Sequence, residues 1–347
     1  MEYWQKLMSK SFTDGVTLAR RLRINKRDLC KVEAEYPINI NPYYLSLIRE
    51  KDDPIWKQCV PNIHEIRQTT GRLDPLLEEQ YSPIEGLIHR YDDRVLLYVS
   101  NACAGYCRFC TRKRKVGIRE KVLRESDFIK AFRYIARHKA VRDVIISGGD
   151  PLLLEDDNIE YYLKHLKKIK HVQIIRIDSR TPCVLPQRIT PELCGMLKKY
   201  PPIYFNTHFN HFQEITDASI KACNMLADSG VIMGNQTVLL AGVNDDSHAL
   251  KKLFEGLLMM KVRPYYLYIP DAVKGTYHFR VSIARALKIM RELIGHTSGM
   301  AVPRLIVDLK HGGGKTPLLP RYIIKRKGRK YVFRNFENRK FYYADIE

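Results

Sequence analysis

The stretch NACAGYCRFCTRKR, Asn101 to Arg114, follows the apolar run Val95 to Val99 and sets Cys103, Cys107 and Cys110 in the spacing C-x3-C-x2-C. Three thiolates this close in sequence can grip one metal centre. A structural zinc ion normally takes four nitrogen or sulfur ligands, and no fourth Cys or His follows at zinc-finger spacing. A [4Fe–4S] cluster has four irons, usually each on a cysteine. Three cysteines leave one iron open to bind something else. The plainer alternative is three unrelated thiols in a reduced protein. The loop's place directly after a strand, where barrel enzymes keep their active sites, favours the cluster.

Outward from this loop the chain alternates between two patterns. Apolar runs at 94–99, 143–147, 172–177, 202–207, 231–240 and 262–269 read as strands. Amphipathic runs lie between them, as at 126–139, where Phe128, Phe132 and Ile135 share a helix face. Ser126 and Thr190-Pro191 read as helix starts. Six such units predict an α/β fold, a parallel sheet curled into a partial (β/α)6 TIM-type barrel. Chemistry is then expected at the strands' C-terminal ends.

Those ends carry polar groups. Gly148-Gly149-Asp150 follows the second strand, and its glycines permit close backbone approach. Gln236 is an amide within an apolar strand and needs a hydrogen-bond partner. Past a last strand near 303–307 comes Asp308, then Gly312-Gly313-Gly314-Lys315. The order is wrong for a phosphate-binding P-loop. A lysine on a glycine hinge instead suits Schiff-base chemistry, in which the amine must swing aside. Ahead of the first strand, Arg90, Tyr91 and Arg94 form either a solvated basic turn or a phosphate site.

The three-cysteine spacing with Tyr106 before the second Cys resembles the radical S-adenosylmethionine (SAM) enzymes. The extension CRFCTRKR is similar to the lysine 2,3-aminomutase family, and the pattern continues over roughly residues 74 to 343. The resemblance implies a [4Fe–4S] cluster on Cys103, Cys107 and Cys110, with SAM on Gly148, Gly149, Asp150, His208 and Gln236. It implies pyridoxal 5'-phosphate (PLP) on Lys315, with Arg90, Tyr91, Arg94 and Tyr268 around it. It implies Arg112 on the substrate carboxylate, and Asp271 and Asp308 on the side-chain ammonium. The implied enzyme is an isomerase that moves the 2-amino group of L-lysine to C3 through a 5'-deoxyadenosyl radical, giving β-lysine. Another cationic amino acid such as arginine is the nearer competitor. Ser179 and Arg180 are further candidate cofactor contacts. The chain departs from the family in having Asp178 where Gly is common. It has no cysteine after Cys223, so no zinc is expected.

The rest of the chain sets bounds. Residues 1–88 read as a helical extension, with Asn41 capping a helix that opens on Pro42. Residues 89–300 read as the barrel, and 301–347 as a segment carrying the PLP lysine and a basic hairpin around Lys325–Lys330. The start has no signal-peptide core and no run of about 18 apolar residues occurs, so a cytoplasmic, membrane-free protein is expected. The net charge of +21 reads mainly as solvated helix faces. An electron donor of flavodoxin or ferredoxin type and a homo-oligomer follow from the resemblance; supplying β-lysine to elongation factor P is the alternative to a catabolic role, which Asp308 and the Gly312–Lys315 run resemble more. A basic RNA-binding protein with a redox-sensing cluster is the non-enzymatic alternative; it predicts salt-sensitive RNA binding.

Overall fold

The computed structural model describes residues 1–68, 70–117, 123–309 and 313–346. Nine strands form one curled sheet in sequence order. They are β1 (Leu87–Tyr91), β2 (Arg94–Ser100), β3 (Asp143–Gly148), β4 (Ile174–Asp178), β5 (Ile203–Thr207), β6 (Ile232–Val238), β7 (Arg263–Tyr268), β8 (Arg304–Leu309) and β9 (Gly314–Pro317). Strands β2 to β8 run parallel. Strands β1 and β9 are antiparallel to their neighbours. This is the expected partial barrel.

The strand sequences explain the curl's two faces. In β4, Ile175 and Ile177 are buried, while Arg176 and Asp178 point the other way. Register carries that polar face across the sheet. Asp178 pairs with Asn206, and Asn206 with Gly234. Val238 pairs with Tyr268, and Tyr268 with Ile306. The apolar face packs under helices such as Glu125–Arg137, which buries Phe128, Phe132 and Ile135.

Helix starts follow their caps. Asn41 Oδ1 accepts from Tyr44 N at 2.9 Å, with Pro42 at the first helical position. Thr190 Oγ1 accepts from Leu193 N at 3.2 Å ahead of Pro191. The helix expected to open at Ser126 begins at Glu125, with Arg124 at its cap. The segment around His89 to Arg94 is not a plain turn. It is strand β1, turned back on β2 through Asp92 and Asp93. Its alternation is too short and too charged to read as a strand.

Among the described residues no backbone ladder joins β1 to β9. Side chains bring these edges together instead. Arg90 Nη2 lies 2.9 Å from Asp308 Oδ1, and Lys315 N donates to Tyr91 OH at 3.1 Å. A separate three-stranded meander follows: β10 (Ile323–Lys327), β11 (Lys330–Arg334) and β12 (Lys340–Ala344). Gly328, at φ +56°, opens the two-residue turn of its first hairpin. Phe336 packs on Gly295 and His296. No helix among the described residues is long and apolar enough to cross a membrane.

Candidate active site

The cysteine loop has little regular structure, so its backbone groups need outside partners. The N-terminal extension supplies them. Tyr106 N donates to Asn39 O and Arg108 N to Gln58 O, both at 2.9 Å. Asn39 Nδ2 donates to Cys103 O, and Asn41 Nδ2 to Ala104 O and Val184 O, each at 2.8 Å. Glu65, with a fully buried side chain, accepts from Arg108 Nη2 at 2.6 Å and from Lys113 Nζ at 2.5 Å. The extension is therefore part of the site's scaffold as well as of the packing.

The three thiols suit a cluster. Burial, together with the charges of Asp150 and the neighbouring thiols, raises Cys103 well above the ordinary range. Burial and then Cys107 push Cys110 up to about 11. Such crowded thiols ionise only when a multivalent centre compensates them. Among the described residues no three His, Cys, Asp or Glu groups converge tightly enough for a single ion. A cube spaces its ligands more widely than one ion does.

Behind the loop sits Gly148-Gly149-Asp150. Gly148 has φ +143°, and a Cβ there would lie 2.5 Å from Ser100 O. At Gly149 it would lie 2.4 Å from Ala102 O. Only glycines let β3's end approach the cysteine loop this closely. Asp150, expected from the resemblance on the SAM side, is already engaged by its neighbours. Its Oδ1 accepts from Ser179 Oγ at 2.6 Å and Leu152 N at 3.0 Å, and its Oδ2 from Arg180 N at 2.9 Å. The carboxylate ties two strand-end loops together. Arg112 is likewise engaged: Nε and Nη2 both lie 2.8 Å from Glu78 Oε1, and Nη1 donates to Gly148 O at 3.1 Å. A substrate carboxylate there shares Arg112 with Glu78.

His208 follows β5 against the edge of Phe109. Burial, then Arg180, pushes its pKa down to about 3, so the ring is neutral. Gln236 is half-buried on the same face of β6 as Gly234 and Val238. Arg180 reaches from the end of β4 to Cys107 Sγ at 2.7 Å.

At the far edge of the sheet, Lys315 registers opposite Asp308 in the β8–β9 hairpin. Its Nζ lies 3.6 Å from Asp308 Oδ2 and 5.7 Å from the centre of the Tyr91 ring. Of the three hinge glycines, Gly312 lies outside the described residues; Gly314 has φ +76° beside Tyr91. Arg94 stacks over Tyr91 at 4.3 Å. The buried Arg90 Nε has no hydrogen-bond acceptor, and Arg94 Nε has only the exposed Asp93 Oδ1 at 3.3 Å. Two such guanidinium donors around one tyrosine, next to the lysine, fit a phosphate group. Arg90 and Asp308, expected on the phosphate and on the substrate ammonium, form one ion pair.

The cysteine and lysine ends are linked electrostatically through Asp178. Asp178 accepts from Asn206 Nδ2 at 2.8 Å. Burial raises its carboxyl, while Arg176, and then Arg112 and Lys315, pull it back. Arg112 also feels the charge of Cys110. Tyr268 lies near both Asp178 and Asp308. Glu65, Glu78, Asn39, Gln58 and Glu214 were not singled out from sequence. Each is an ordinary polar residue distant in the chain, with no motif to mark it.

Comparison with known proteins agrees. The profile of the Radical SAM superfamily matches residues 97–254, and that described as Lysine-2,3-aminomutase matches residues 290–346. The L-lysine 2,3-aminomutase of Fusobacterium nucleatum is 53% identical over 301 residues, 86% of this chain and 71% of that protein. That of Methanococcus maripaludis is 48% identical over 343 residues, 96% of this chain and 79% of its own. The glutamate 2,3-aminomutase of Clostridioides difficile is 44% identical over 334 residues, covering 95% and 78%. The site and these matches define a radical SAM enzyme, with a [4Fe–4S] cluster and SAM. More narrowly, the chain belongs to the lysine 2,3-aminomutase family, PLP-dependent isomerases.

Proposed function

We propose that the enzyme acts on L-lysine and yields β-lysine by moving the 2-amino group to C3. When bound, the cluster and SAM supply an organic radical, and PLP supplies a ring that delocalises spin. Cys103, Cys107 and Cys110 hold the cluster; Gly148, Gly149, Asp150, His208 and Gln236 line the SAM side. Lys315, Arg90, Tyr91, Arg94 and Tyr268 hold PLP, and Arg112 orients the substrate carboxylate. The reading includes a cytoplasmic location, in keeping with eight unpaired cysteines. It also includes a flavodoxin- or ferredoxin-type electron donor and a homo-oligomer.

The observation that carries the substrate is a pair of carboxylates. Burial, then the nearby Asp308, pushes Asp271 up to about 7. Two carboxylates this close favour a cation between them, and a glutamate side chain would be repelled. Asp308 is already tied to Arg90 and Lys315, so Asp271 is the cleaner probe. Asp271→Asn is expected to cost about 1.5–3 kcal/mol in kcat/KM for L-lysine, mainly through KM. In the native enzyme Asp271 loses its proton as pH rises through about 7, so KM for the cationic substrate falls across that range and then levels. The variant lacks that inflection. The test is anaerobic reconstitution with iron, sulfide, PLP, SAM and reductant, followed by chiral product analysis on L-lysine, L-arginine and L-glutamate. Faster turnover of L-glutamate than of L-lysine overturns the substrate.

A further inference from the structure

We propose that Arg180 is a positioning residue that raises the reduction potential of the cluster by donating a charged hydrogen bond to the Cys107 sulfur. Arg180 stands at the end of β4, 73 residues from Cys107, and its side chain is 9% exposed. Nη1 is 2.7 Å from Cys107 Sγ. Nη2 is 2.7 Å from Glu214 Oε1, 2.7 Å from Gln58 Oε1 and 3.0 Å from Tyr44 OH. Nε donates to His208 O at 3.2 Å. The rings of Phe109 and Tyr44 flank the guanidinium at 5.3 and 5.4 Å.

A guanidinium is a planar fork of five donors. Here its other contacts fix the fork's plane, which holds an Nη1 N–H toward the sulfur. Glu214 is itself locked: Tyr44 OH donates to it at 2.6 Å, Asn210 N at 2.6 Å and His211 N at 2.9 Å. The Arg180–Glu214 pair is therefore a fixed dipole with its positive end on a cluster ligand. Reduction adds one negative charge to the cluster. A buried donor to a ligand sulfur stabilises the more negative state and so raises the potential. Low local dielectric strengthens the effect.

The inference rests on the cluster reading, and the experiment separates the two. The anaerobically reconstituted holoenzyme is titrated potentiometrically and followed by electron paramagnetic resonance, with iron and sulfide assayed in parallel. Wild-type protein that binds no four-iron cluster sinks the cluster reading itself. In Arg180→Gln, at unchanged iron content, the midpoint is expected to fall. The expected size is about a tenfold change in the oxidised-to-reduced ratio, roughly 59 mV for one electron. In Glu214→Gln the opposing charge is gone and the midpoint is expected to rise. A merely structural arginine gives no such opposed pair. Should Arg180→Gln fail to fold, Arg180→Gln/Glu214→Gln leaves no lone buried charge and is expected to shift downward. A midpoint unmoved in the folded Arg180 variant overturns the proposal.

Discussion

Glu65→Gln is expected to lower the unfolding free energy by about 3–5 kcal/mol, the cost of leaving a buried ion pair without its partner. The carboxylate is the hub of a sealed cluster. Arg108 Nε lies 3.0 and 3.1 Å from its two oxygens and Nη2 lies 2.6 Å from Oε2, while Lys113 Nζ donates to the same Oε2. Burial works against its charge, yet Arg108 and Lys113 outweigh burial and hold its carboxyl below the usual range. Lys113 shows the strain from the other side. Burial and Arg108 push its pKa down to about 8, even with Glu65 beside it. Glutamine leaves two cations facing an amide in a dry pocket. Urea denaturation of the reduced apo-protein measures the loss. A loss within about 1 kcal/mol, the range of an exposed pair, would show that the cluster is not sealed. Because Arg108 also donates to Pro37 O at 2.9 Å, the same change is expected to loosen the extension from the cysteine loop and lower iron content.

Lys315→Ala is expected to lower kcat/KM by on the order of a thousandfold or more and to abolish covalent PLP attachment. The case is one of access. Lys113 has a side chain only 6% exposed and is held by Glu65 and by Arg108 O. Lys315 has a side chain 37% exposed, close to the Tyr91 ring over which Arg90 and Arg94 also lie. Its amine is 3.6 Å from Asp308, a distance that restrains without trapping. Borohydride reduction and peptide mapping check the attachment. A PLP adduct on any lysine other than Lys315 in native enzyme overturns the assignment.

The strands and the three-cysteine loop were legible because each signal is local: β-branched runs, helix caps, a short ligand spacing. The β8–β9 hairpin was half legible: Lys315 and Tyr91 were both visible as candidate PLP residues, but the hydrogen bond that joins them was not. What the sequence hid is the layer around the ligands. Arg180 reads from sequence as a candidate cofactor contact, but its partners Tyr44, Gln58 and Glu214 do not show. Asp150 carries a motif, yet the structure spends both of its oxygens on loop backbone and Ser179. Composition does not distinguish a ligand from a brace when both are buried carboxylates. Strand β1 was missed for a related reason: its charges face the cavity, and charge alternation alone reads as a turn.

Where β1 meets the β8–β9 hairpin, no backbone ladder joins them among the described residues. Arg90 pairs with Asp308 of β8 and lies 3.4 Å from Leu309 O, while Lys315 N of β9 donates to Tyr91 OH. Parting these staves breaks a few side-chain contacts, whereas a ladder would have to be unzipped rung by rung. In the proposed function the same residues take cofactor and substrate, so latch and cargo compete for the same atoms.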